Sequence, residues 1–439
     1  MPATVDAMRR LLVAFLVIAL AGCGVVVNGV RQGTTATGAP SGDVVTTALA
    51  DVERFWTGEF PELAGGAKFQ KVQGGYHPYS KAQPPPACGD QPGVYLPNAY
   101  YCSPGDFIAW DAQSLIPQLQ ADYGPVLVGV VFAHEYGHAI QTRLNVADQP
   151  TVVLEQQADC YAGAWLADVL AGHSTAFGKV TSEQLDNTVA GLLMLRDQPG
   201  TPALASGAHG NAFDRIRALQ DGVQQGASTC AGYRADNLPV TEVPFTRADD
   251  AATGGNLPYD QAVNLLAQDA QAYWARTFPQ LAGTSWRQLP VEPFDAGAAP
   301  ACANPDASAK GQAFYCPDGD FIAFDNQRLA PALYQRIGDN AVGMLLGDLF
   351  ARAAQDRRGQ STQGQAGQLA VDCLAGSWTY DMLHRTAGDQ GVTLSPGDLD
   401  EAVSALLAFG RAQEGSGATA FDRIAAYRKG VLQGLDACA

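Results

Sequence analysis

Apolar and polar positions divide the chain into unequal parts. Arg9 and Arg10 precede an apolar run from Leu11 to Leu20, which ends at Leu20-Ala21-Gly22-Cys23. A basic start, a short apolar stretch and small residues at its end predict a secretory signal over residues 1–22, too short to span a membrane. Residues 23–43, rich in Gly, Thr, Ser and Ala, read as a flexible tether. Beyond them a helix carries Trp56, and a Pro/Gly-rich loop follows. Short strands are expected around Tyr101-Cys102 and Phe107-Ile108-Ala109, then several helices, including an apolar one from about Gly124 to Leu144. The expected class is α+β, helix-dominated.

The pattern is written twice. Phe60-Pro61-Glu62-Leu63-Ala64-Gly65 returns as Phe278-Pro279-Gln280-Leu281-Ala282-Gly283, and Gly105-Asp106-Phe107-Ile108-Ala109 as Gly319-Asp320-Phe321-Ile322-Ala323. Asp159-Cys160 with Trp165 returns as Asp372-Cys373 with Trp378, and Phe213-Asp214-Arg215-Ile216 as Phe421-Asp422-Arg423-Ile424. The offset drifts only from 218 residues at Phe60/Phe278 to 208 at Phe213/Phe421. This order predicts a tandem duplication, with one domain over 44–233, a linker over 234–256 and a second domain over 257–439.

Composition adds two constraints. The 439 residues include 27 Lys and Arg against 44 Asp and Glu, a formal charge of -17, so nucleic acid is not an expected partner. Eight Cys follow Cys23, an even number that in an exported chain argues for disulfides. The repeat sorts them into two sets of four. The expected pairs are Cys88–Cys102 with Cys160–Cys230, and Cys302–Cys316 with Cys373–Cys438, although sequence alone leaves three connectivities open per set.

Candidate chemistry lies in the first copy. His134-Glu135-Tyr136-Gly137-His138 is H-E-x-x-H within the apolar helix. Residues four apart share a helix face, so both imidazoles can reach one Zn2+, and Glu135 is placed to act as general base on water. A peptidase zinc site needs a third protein ligand. Glu155-Gln156-Gln157-Ala158-Asp159, after a break at Pro150, offers two carboxylates on one face. The spacing matches the gluzincin arrangement, which makes Glu155 a ligand and Asp159 the partner of a ligating imidazole's other nitrogen.

These residues, with Gln141, Cys160, Ala162-Gly163, Trp165, Tyr101-Cys102, and His209-Gly210 ahead of Arg215, resemble the bacterial neutral zinc metallopeptidase family over roughly residues 50–230. The resemblance implies a zincin-like fold, one zinc per chain, and hydrolysis of peptide bonds in a peptide or protein substrate. Ser103 stands where that family usually has Pro. Leu-Ala-Gly-Cys likewise resembles a bacterial lipoprotein signal, which implies acylation of Cys23 and a membrane-anchored protein on the extracytoplasmic face.

The repeat serves as an internal control. His134 aligns with Asp348, Glu135 with Leu349, His138 with Arg352 and Glu155 with Gln368, so the second copy is expected to be non-catalytic. Asp348 and Arg352, four apart, are expected to form an ion pair there. Cys160 persists as Cys373 and is therefore not a zinc ligand. His209 aligns with Gly417 and disappears with the ligands, which nominates it as a donor to the oxyanion of peptide hydrolysis. Tyr136 and Asp197 are weaker nominees by the same comparison, and His77, His173 and His384 read as surface residues. The strand from Phe107 to Trp110 is expected to offer its edge to an extended substrate. The alternative function is a non-catalytic envelope lipoprotein acting as a binding or assembly module.

Overall fold

The computed structural model describes residues 43–439 apart from 147, 204, 206, 242, 246, 247, 296, 309–311, 387, 388 and 411–416. The signal segment, Cys23 and nearly all of the tether lie outside the described residues. The fold is α+β and dominated by helix. Its first half runs α1 (Asp43–Leu63), β1 (Gly75–Tyr79), β2 (Ala99–Cys102), β3 (Phe107–Asp111), α2 (Leu115–Tyr123), α3 (Pro125–Arg143), α4 (Thr151–Leu170), α5 (Ser182–Met194), α6 (Ala212–Gln225) and α7 (Ala227–Ala231). After α8 (Ala248–Ala252) come α9 (Tyr259–Ala282), β4 (Val291–Phe294), β5 (Asp306–Ser308), β6 (Ala313–Cys316) and β7 (Phe321–Asp325). The chain closes with α10 (Leu329–Arg336), α11 (Asp339–Arg357), α12 (Gly364–Leu383), α13 (Asp398–Gly410), α14 (Ala420–Gln433) and a 3-10 turn at Leu435–Cys438.

Apart from β5, the elements of the second half repeat those of the first in order. α3 starts with Pro125, whose missing N–H costs nothing at a first helical position, and Gly124 before it takes φ 92°. Its residues are apolar nearly all round because it is an interior helix with α1, α2, α4 and α5 packed on it. Gly137 is a point where the α4 backbone comes close. A Cβ there would fall 2.8 Å from Ala158 Cα, so the absent side chain lets the two helices meet. Trp165, fully buried on α4, donates its indole N–H to Asp51 Oδ2 at 3.0 Å, and Trp378 makes the matching bond to Asp269 Oδ1 at 2.8 Å.

The first sheet has the order β1-β3-β2, with β1 parallel and β2 antiparallel to β3. The second has the order β4-β7-β6-β5. β3 (Phe107–Asp111) is thus bonded on both sides, which corrects the expectation that the Phe107–Trp110 strand offers an edge. The edges belong to β1 and β2.

Four disulfides join Cys88–Cys102, Cys160–Cys230, Cys302–Cys316 and Cys373–Cys438, each within its own half. The halves themselves share one hydrophobic core and a bonded seam. Phe213 N–H donates to Asp400 Oδ1 at 2.9 Å, Gln220 to the Phe421 carbonyl at 2.9 Å and Arg428 to the Arg217 carbonyl at 2.7 Å. The segment expected as a linker is partly packed down. Thr241 is buried, with its N–H and hydroxyl both donating to the Asp214 carboxylate. No helix among the described residues is long and apolar enough to cross a membrane.

Candidate metal centre

α3 and α4 bring His134, His138 and Glu155 together. His134 Nε2 and His138 Nε2 lie 3.2 Å apart, His134 Nε2 lies 3.2 Å from Glu155 Oε2, and His138 Nε2 lies 3.5 Å from Glu155 Oε1. A tetrahedral ion with bonds of about 2.0–2.1 Å would separate its ligand atoms by about 3.3–3.4 Å. The two imidazoles meet different oxygens of Glu155, and all three separations lie near that value, so the donor set suits an ion such as zinc.

The other ring nitrogens are held. His134 Nδ1 lies 2.8 Å from Asp159 Oδ1, and His138 Nδ1 2.9 Å from Gln141 Oε1. Both partner atoms can only accept, since Asp159 is ionised and the Gln141 amide nitrogen already donates to the Leu154 carbonyl at 2.6 Å. Each Nδ1 therefore carries its proton, which leaves each Nε2 as the atom that takes up a cation or a second proton. Glu155 Oε2 is buried and accepts no hydrogen bond of good geometry. Three Lewis bases facing one point suit a cation or a proton. Burial works against a charged His134, but Asp159, then Glu155 and Glu135, outweigh it and hold its pKa at about 10. Protons and metal compete for these nitrogens, so metal affinity should fall as the pH drops below about 10.

Asp159 is fixed in turn by Arg215, whose Nε donates to Oδ2 at 2.8 Å and Nη2 to Oδ1 at 2.9 Å. Burial alone would raise the Asp159 carboxyl, yet Arg215 and His134 hold it down at about 2. Gln141 and Arg215 appeared in the sequence only as parts of a motif; their holding roles depend on which helices meet. Arg423 makes the same pair with Asp372 at 2.7 and 2.9 Å where the histidines are gone. The Arg–Asp pair is therefore scaffold that the first half also uses to orient His134.

Glu135 is buried beside the cluster, and its Oε2 accepts the Tyr101 N–H of β2 at 2.8 Å. Burial pushes its pKa up, toward the range in which a carboxylate is an effective base. His209 sits on the loop before α6, half exposed, with Nε2 4.0 Å from Glu155 Oε2 and Nδ1 3.4 Å from Asp197 Oδ1. Asp197 also accepts the N–H groups of His209 and Gly210 at 2.7 and 2.8 Å, which fixes the loop on which His209 stands. Burial tends to raise Asp197, and these bonds lower it overall. Its aligned partner Arg411 lies outside the described residues.

Tyr136 faces the other way, its hydroxyl donating to Glu53 Oε1 at 2.9 Å on α1, so the change to Phe350 in the second half removes a hydrogen bond to α1 and not a group at the metal position. His173 and His384 are exposed, whereas His77 is half-buried, with its ring edge-on to Phe107 and bonded to the Gly74 carbonyl at 2.9 Å. The expectation that His77 is a surface residue holds only in part.

At the matching place in the second half, Arg352 fills the centre. It donates to Asp348 Oδ2 at 2.7 Å, to Gln368 Oε1 at 2.6 Å and to Asp306 Oδ1 at 2.9 Å. Asp306 comes from β5, an element with no counterpart in the first sheet. Comparison of the chain with protein-family models, curated proteins and solved structures returns no match.

Proposed function

We propose that the chain is an exported, lipid-anchored zinc metallopeptidase. One catalytic centre lies in its first copy of a zincin-like domain, and the second copy is non-catalytic. The observation that carries the reading is the donor set: two Nε2 atoms and a buried carboxylate at tetrahedral edge distances, each imidazole fixed through its other nitrogen. A zinc ion held by His134, His138 and Glu155 would act as Lewis acid toward the scissile carbonyl and the attacking water. Glu135 takes the proton from the attacking water and passes it to the leaving amine. His209, oriented by Asp197, donates to the oxygen that gains charge.

The second half supports a place for the substrate. There β5 pairs antiparallel with β6, Asp306 opposite Tyr315. Tyr315 repeats Tyr101, the residue whose N–H meets Glu135. Among the described residues no strand covers β2 on that side. An extended peptide lying along β2 would take the place that β5 takes on β6, and its backbone would pass Glu135. The rival reading, a non-catalytic binding module, suits the second copy, where β5 and Arg352 already fill the site.

Digestion of a peptide library by the purified ectodomain tests the proposal. Cleavage should stop on chelation and return with one equivalent of zinc. Protein that binds zinc tightly yet cleaves nothing would favour the rival. His209→Ala should keep the zinc and lose roughly 10²–10³ in turnover, the size of one lost oxyanion donor. Full activity in that variant would reduce His209 to scaffold. Fractionation of cells making Cys23→Ala checks the anchor, because the variant should leave the membrane fraction.

A further inference from the structure

A second group of ligand-type side chains lies in the second half, away from the site above. Asp339 opens α11, and Asp398 and Glu401 occupy the first turn of α13. One oxygen from each lies within 4.8 Å of the others. Asp339 and Asp398 are each 6% exposed, and Glu401 is half-buried.

Other buried acids of this chain are neutralised. Asp159 pairs with Arg215, Asp269 with Arg385, Asp348 with Arg352 and Asp372 with Arg423. Among the described residues no ion pair joins Asp339, Asp398 or Glu401 to Arg, Lys or His. What they do have are backbone N–H and hydroxyl donors. Asp339 Oδ2 accepts the Leu257 N–H at 2.8 Å, Asp398 accepts the Ser395 N–H at 2.7 Å and hydroxyl at 2.8 Å, and Glu401 Oε2 accepts the Asn340 N–H at 2.9 Å. The other oxygen of Asp339, Oδ1, is buried and has no hydrogen-bond partner. An orphaned carboxylate oxygen beside two further carboxylates is costly without a positive charge among them.

The first half shows that the fold does not need these acids. α3 and α11 match residue for residue, and Leu185-Asp186 of α5 repeats as Leu399-Asp400 of α13, so Pro125, Gln184 and Asn187 stand where the second half has Asp339, Asp398 and Glu401. We propose that Asp339, Asp398 and Glu401 form a Ca2+ site specific to the second half. The donors are all oxygen, as a hard cation requires. Bonds of about 2.4 Å place opposite ligands up to about 4.8 Å apart, and half-buried Glu401 leaves a route in. Water completes the shell.

The site has a structural consequence. The same turn of α13 carries Asp400, which accepts the Phe213 N–H at 2.9 Å and meets Arg196 at 3.1 Å in the first half. An ion that fixes the start of α13 thereby strengthens the seam between the halves, next to the turn that holds Asp197. This site does not depend on the peptidase reading.

Protons are the competing occupant, because burial first, and then the charge of Asp339, push Asp398 above the usual carboxylate range. The test uses the whole ectodomain loaded with zinc, stripped of Ca2+ and titrated with CaCl2 at pH 7.5 by equilibrium dialysis and thermal unfolding. Expected are one Ca2+ per chain with a Kd at or below about 1 mM, and a rise of a few degrees in Tm. Glu401→Gln should raise the Tm of the Ca2+-free protein by relieving repulsion, and abolish the response to CaCl2. Asp398→Asn should weaken binding at least tenfold, with zinc content unchanged in both variants. No binding up to about 10 mM CaCl2, with stability gained only on acidification, would overturn the site. So would binding that both variants leave intact.

Discussion

Glu135→Gln should lower peptide hydrolysis by about 10²–10⁴-fold or more while leaving one zinc per chain. The substitution keeps the shape of the side chain, and the Gln oxygen can still accept the Tyr101 N–H that Glu135 accepts at 2.8 Å. It removes the lone pair that takes up a proton. Glu135 is not one of the three groups that converge on the candidate metal position, so metal content should not follow activity. Replacing His134, His138 or Glu155 by Ala should behave differently, with zinc and activity falling together. Turnover on a cleaved library peptide and elemental analysis of the same samples separate the two cases. Wild-type turnover in Glu135→Gln would reject the mechanism.

Arg352→Ala should destabilise the second half by about 3–5 kcal/mol, the cost of leaving a buried charge without its partner. Arg352 is almost wholly buried and is the counter-charge for both Asp348 and Asp306. Burial would raise Asp348, and Arg352 outweighs it to keep the carboxylate ionised. Removal of the guanidinium leaves Asp306 without a cation and Asp348 with Arg423 alone, 3.7 Å away. The wild-type chain should bind a single tight zinc, because a fixed positive charge already stands among the counterparts of His134, His138 and Glu155. Urea unfolding followed by Trp fluorescence measures the first expectation, and metal content after dialysis measures the second. A loss below about 1 kcal/mol, or two zinc ions per chain, would contradict this account of the second half.

The helices carrying His134, His138 and Glu155 were legible because their signals are local. The i, i+4 spacing, the Pro150 break and the apolar period of α3 need no knowledge of distant residues. Expecting one imidazole to be held by Asp159 required only a motif. Arg215, Gln141 and Tyr101 were quoted as parts of a resemblance without a structural task, because their tasks exist only after α3, α4, α6 and β2 have packed. The sheet was misread at one point for a related reason. The apolar run Phe107–Trp110 was taken for an edge, but a strand buried on both faces and bonded on both sides is apolar throughout.

The second half divides the same way. Loss of the histidines was plain in the alignment, and so was the spacing of Asp348 and Arg352. That Arg352 also reaches Asp306, on a strand the first half lacks, was not. Nor was the convergence of Asp339 with Asp398 and Glu401, 59 and 62 residues away in sequence.

The sequence by itself determined which residues are candidates for chemistry, their helical spacing, the order of the repeated segments and the partition of the cysteines, since each is a matter of identity and interval along one chain. Tertiary structure alone decided which edge of the sheet is open, which groups fix each imidazole, and which carboxylates meet without a counter-charge. Those are distances between segments far apart in sequence, set by how closely helices approach at positions such as Gly137, and no local pattern encodes them.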